Sequence, residues 1–198
     1  MAIFKRRKQS SEFKPDPQTA TWLKTVRLTA LQRLRLAKWA LYVLTIVLCL
    51  VVQDVIMSRF RLFGGTTDLA VSVILLITVI EGTEVGSLFV AIASILYYYS
   101  GSAPSPFCIG LLTFLGTFSA LLRQMYLHRS RGSIVLCAGV AVMLYELGLF
   151  TVGVMSGLTL WSRLPNFLFT GLYSVLTLIP LYSLIYKIGL IGGNTWKE

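Results

Sequence analysis

A chain of 198 residues that is 56% hydrophobic and only 13% charged, with mean hydropathy +0.75, does not have the composition of a water-soluble domain. Its apolar residues stand in long blocks without a polar face, so lipid is the solvent for most of the chain. The net charge of +10 would suggest nucleic acid in a soluble protein, but ten of the 18 Lys and Arg residues precede the first apolar block. A basic segment beside a membrane helix reads as a topology determinant and a contact for anionic lipids, and no basic surface with aromatic stacking groups argues for nucleic acid.

Residues 1–38 form a basic N-terminal arm. The first 21 are polar, with Lys-Pro-Asp-Pro at 14–17. Their length and charge argue against a cleavable signal peptide. From Thr21 the pattern turns helical: Trp22, Leu23, Val26, Ala30 and Leu34 share one face, and Lys24, Arg27, Arg35 and Lys38 cluster on another, with Arg33 interrupting the apolar side. Two readings fit: an amphipathic helix whose Lys24, Arg27, Arg35 and Lys38 meet lipid headgroups, or a helical extension of the first span.

The six-helix transmembrane region is read as 39–187. Its spans are expected at about 39–57, 68–80, 87–99, 106–122, 133–155 and 166–186, followed by a tail at 188–198. The second and third are short, and the Glu81 to Gly86 turn between them leaves a re-entrant hairpin as the alternative to two full crossings. With six spans, fifteen Lys and Arg residues fall on the side of the two termini and three, Arg59, Arg61 and Arg163, on the other. The positive-inside rule then places both termini in the cytoplasm. The predicted fold class is all-α, a polytopic integral membrane protein with about six transmembrane helices.

Candidate chemistry is sparse. His128 has no partner at ligand or acid–base spacing, and the serines of the 101–106 turn have no base nearby. Cys49, Cys108 and Cys137 lie in apolar blocks and read as small helix residues. No metal site, cofactor or catalytic set is expected. The informative residues are ionisable groups at membrane depth. Glu146 stands in mid-span, where a lone carboxylate needs a pair, a partner protein or a solute. Gln53 and Asp54 close the first span, Asp68 opens the second as a helix cap, and Arg123 closes the fourth, where it reads as a snorkelling boundary group. Small pairs Ser87/Ala91, Gly116/Ala120 and Gly153/Gly157 mark close helix approach. Tyr97, Tyr98 and Tyr99 read as interfacial anchors.

The ordered series Val52-Gln53, Arg61-Leu62-Phe63-Gly64, Thr67-Asp68-Leu69, Glu81-Gly82, Val85-Gly86-Ser87-Leu88-Phe89, Ser100-Gly101-Ser102, Gly116, Leu121-Leu122-Arg123 and Leu144-Tyr145-Glu146-Leu147 resembles the MreD family of bacterial rod shape-determining membrane proteins over about residues 45–187. One departure is that Tyr97 to Tyr99 occupy a stretch where the family often has an Asp. The resemblance implies a non-enzymatic scaffold of the cell-wall elongation machinery in the bacterial cytoplasmic membrane. Its implied partners are an MreC-like bitopic protein, and through it a peptidoglycan glycosyltransferase and a penicillin-binding protein. It also implies a fold similar to the substrate-binding subunits of energy-coupling-factor vitamin transporters, which are the alternative functional reading.

Overall fold

The segment Leu-Ala-Val-Ser-Val-Ile-Leu-Leu-Ile-Thr-Val-Ile-Glu at 69–81 is apolar on every side, and a helix of that kind has no face to give to water. It lies at the centre of the molecule. In a computed structural model, which describes residues 30–56, 59, 65–126 and 130–191, twelve of its thirteen residues are buried. The described residues form six α-helices: α1 (Ala30–Val55), α2 (Leu69–Glu81), α3 (Thr83–Tyr99), α4 (Phe107–Tyr126), α5 (Arg131–Met155) and α6 (Leu164–Gly189), the last entered through a 3-10 turn at Trp161–Arg163. No strand occurs among them. α2 packs against all five other helices.

Four stretches are long and apolar enough to cross a membrane: Leu31–Val55, Phe107–Tyr126, Arg131–Met155 and Trp161–Gly189. α2 and α3 are shorter. At 1.5 Å per residue they extend roughly 20 and 25 Å, against about 30 Å for a hydrocarbon layer.

The hairpin between α2 and α3 is built on glycine. Gly82 takes φ 88°, a left-handed conformation that costs a residue with a Cβ. Its N–H closes α2 on the Thr78 carbonyl at 3.0 Å, and its carbonyl accepts the Gly86 N–H at 2.8 Å to open α3. A Cβ on Gly86 would stand 2.6 Å from the Thr78 carbonyl oxygen, so only glycine lets the two helices meet there. Gly116 of α4 does the same against Val90 and Leu75. Gly157 does not belong to such a pair. α5 ends at Met155, and Gly157, at φ 69°, turns the chain with nothing within 4 Å of its notional Cβ. The expected Gly153/Gly157 packing pair is therefore a helix-terminating turn.

α1 starts earlier than the expected span and runs unbroken from residue 30, so residues 30–38 continue the first apolar helix. One narrow stripe faces inward: Lys38, Tyr42, Ile46, Cys49 and Gln53, at spacings of three and four. Beyond Lys38, many of the remaining side chains are outward and apolar, including Leu44, Leu48 and Val51, while Arg33 and Arg35 are exposed near its start. Ile92, Phe114, Leu136 and Ile179 project in the same way from the other helices. Such a surface fits lipid rather than water. In lipid, close packing and hydrogen bonds between helices hold the bundle, because lipid tails are as apolar as the core.

Candidate functional site

Polar groups gather at the two ends of α2. At its start, Asp68 is the N-cap and its Oδ1 accepts the Val71 N–H at 3.3 Å. The first-turn amides of a helix have no intrahelical acceptors, and α1 reaches across to satisfy another: Gln53 Oε1 accepts the Ala70 N–H at 3.0 Å. The Gln53 side chain also hydrogen-bonds Asp68, and Tyr97 of α3 donates its hydroxyl to Asp68 Oδ2 at 2.7 Å. The Asp68 N–H donates to Ser174 Oγ of α6 at 2.9 Å, and Ser72 Oγ donates to the Asp68 carbonyl at 2.9 Å and to the Ser174 carbonyl at 3.2 Å. One capping residue thus ties α1, α2, α3 and α6 together.

Beside this knot is a cavity of about 340 Å³ lined by Gln53, Asp68, Tyr97, Glu146, Arg163 and Asn166, with threonines 66, 67 and 170 and an apolar wall of Pro104, Leu149 and Phe167. Glu146 of α5 is 5% exposed and makes no hydrogen bond or ion pair with any described residue. Its stem packs over Gly171, where an added Cβ would come within 3.5 Å of Glu146 Cγ and 2.6 Å of Met143 Sδ. Asp68 and Tyr97 lie within electrostatic reach of Glu146. The neighbouring Tyr145 is buried, and its hydroxyl lies within electrostatic reach of Tyr97, Asp68 and Glu146.

The other end of α2 carries a different constellation. Glu81 and Lys38 form a two-pronged ion pair, Nζ to Oε1 at 2.7 Å and to Oε2 at 2.8 Å, with side chains only 3% and 6% exposed. Tyr42 donates its hydroxyl to Glu81 Oε1 at 2.6 Å, and the Lys38 ammonium stands 5.8 Å from the centre of the Tyr42 ring. Arg123 of α4, also buried, donates through Nη1 to the Val79 and Ile80 carbonyls. A cation there neutralises the negative end of the α2 dipole and satisfies carbonyls with no further helix to bond.

The residues singled out from sequence divide accordingly. Gln53, Asp68 and Glu146 converge on the cavity. Asp54 is exposed and accepts from Ser102 Oγ at 3.1 and 3.2 Å. Arg123 is at the opposite end and is not a snorkelling boundary group, because the α2 carbonyls draw it inward. Lys38, expected against headgroups, is buried because its helix turn faces Glu81. Arg35 is exposed, while Lys24 and Arg27 lie outside the described residues. Of the tyrosines, Tyr97 is buried on Asp68 while Tyr99 is exposed, so the three do not form one anchoring belt.

Sequence reasoning missed Tyr42 and Glu81 as a unit, and Tyr97, Arg163 and Asn166 as cavity residues. The stripe from Lys38 through Tyr42 to Gln53 was the available signal for the first. Nothing local pointed to the others. Among the described residues no group of three or more His, Cys, Asp or Glu side chains is placed to hold a metal ion. No protein-family model, curated protein or solved structure matches the chain.

Proposed function

We propose that this chain is a non-enzymatic membrane scaffold of the MreD kind, serving bacterial cell-wall elongation. One observation supports the reading most. Six of the residues that carry the resemblance help hold the α2–α3 hairpin in the bundle: Asp68 caps α2, Glu81 pairs with Lys38, Gly82 and Gly86 make the turn, Gly116 admits Val90, and Arg123 holds carbonyls near the end of α2. A resemblance arising from shared apolar composition would not select the joints of a structure.

On this reading all six helices cross the cytoplasmic membrane. α2 extends alongside α1 from the level of Gln53 to that of Lys38, a run of about 22 Å along α1. α3 begins where Thr83 meets Gln124 at the end of α4, and the turn after it meets Asp54 at the end of α1. These joints at both ends support the reading that the short helices cross with the long ones. The Lys and Arg bias then puts the Lys38–Glu81 end and both termini in the cytoplasm and the cavity on the outer side. The partners are an MreC-like bitopic protein, and with it the elongation glycosyltransferase and its penicillin-binding protein; anionic lipids bind the basic arm.

Depletion in a rod-shaped host tests this reading. Rounding of the cells is expected. Rods that keep their shape but lose uptake of a vitamin would overturn it in favour of a transporter's substrate-binding subunit.

A further inference from the structure

We propose that the cavity beside Asp68 binds the zwitterionic phosphoethanolamine headgroup of a phospholipid, its primary ammonium on Glu146 and its phosphate on Arg163. This goes beyond the scaffold reading and does not depend on it.

The chemistry follows from which groups are already engaged. Asp68 is already committed: it accepts from Val71, Tyr97 and Gln53. Glu146 is 95% removed from solvent, opens into the same cavity and has no partner among the described residues. A carboxylate taken out of water without a hydrogen-bond donor is strongly disfavoured. A primary ammonium supplies three donors and the opposite charge in one small group. Asp54, within electrostatic reach of Asp68, adds to the negative field at this end of the bundle. The single cation of the lining, Arg163, is exposed at the rim, so a ligand is polarised with its cation inward and its anion outward. Guanidinium matches phosphate geometry well.

The segment leading to Arg163 indicates the source. Met155, Leu158, Leu160 and Trp161 are each more than 70% exposed. An apolar collar ending in Trp161, two residues before the cavity-lining Arg163, suits the membrane interface, where phospholipid headgroups are the concentrated zwitterions. At about 340 Å³ the cavity is at the small end of the range for ligand sites, large enough for a headgroup and too small for a whole lipid.

The test is thermal unfolding of the full chain in nanodiscs of phosphatidylglycerol, with phosphoethanolamine or phosphocholine added. Phosphoethanolamine is expected to raise the midpoint, with phosphocholine, whose quaternary nitrogen has no N–H, at least about tenfold weaker. Glu146→Gln should fold and lose the response. Arg163→Gln, at the exposed rim, should lose the preference for phosphoethanolamine over ethanolamine. Nanodiscs containing phosphatidylethanolamine should raise the midpoint alone and leave nothing for added phosphoethanolamine to do. A response to the free compound only would overturn the lipid source and keep the zwitterion chemistry. Absence of response to both, or equal responses in wild type and Glu146→Gln, would overturn the site; neither result would touch the scaffold reading.

Discussion

Replacing Lys38 by methionine keeps the length and most of the volume of the side chain but removes the ammonium, leaving Glu81 buried with one donor, the Tyr42 hydroxyl. Removing one member of a buried ion pair costs about 3–5 kcal/mol, because the remaining charge stays desolvated. The Tyr42 bond, a charge-assisted one, is intact and keeps the expected loss for Lys38→Met near the lower bound, about 3 kcal/mol. Glu81→Gln strands Lys38 instead and should cost a similar amount. The double variant, which leaves neither charge uncompensated, should lose far less than the sum of the singles, with a coupling of about 2 kcal/mol or more. The assay is reversible unfolding in mixed detergent micelles, with Arg35→Met as the control on an exposed neighbour of the same helix. If Lys38→Met fell within about 0.5 kcal/mol of wild type, as exposed charges do, Lys38 would face headgroups as the sequence alone suggested, and the joint between α1 and α2 described above would be refuted.

Arg123→Gln should destabilise by about 2–4 kcal/mol in the same assay, since two α2 carbonyls lose a charged donor; Glu146→Gln should be neutral or stabilising without ligand, because it replaces a buried carboxyl group that makes no hydrogen bond with a described residue. Tyr97→Phe removes the hydroxyl from Asp68 and should cost about 1.5–3 kcal/mol, read as a drop in unfolding midpoint. Gly86→Ala should cost more than about 2 kcal/mol, because its Cβ meets a backbone carbonyl. Gly110→Ala, on a helix position with nothing within 4 Å, should stabilise by up to about 1 kcal/mol.

Helix class, approximate helix positions and the cap role of Asp68 were legible in the sequence because each leaves a local mark: an apolar block, a turn rich in glycine, an acidic residue ahead of a run. The depth of α2 was not. A thirteen-residue apolar block reads as a short span, and only the assembled bundle explains it as a helix enclosed by five neighbours and pinned at both ends. Charge was misread for the same reason. Lys38 belongs to a basic cluster along the chain, yet it shares an inward stripe with Tyr42 and Ile46, and its partner lies forty-three residues away. Arg123 sits where a snorkelling residue would sit; the helix end that captures it is likewise remote in sequence. Tyr97 illustrates the limit of pattern reading, since three adjacent tyrosines look alike until one of them turns onto Asp68.

The central claim, a scaffold acting through other membrane proteins, is tested most directly by purifying the full chain from its native membrane in mild detergent and identifying what accompanies it. The account predicts an MreC-like bitopic protein in stoichiometric amount, recovered equally well when that partner is the one tagged. Recovery instead with an ATP-hydrolysing transporter module would contradict it.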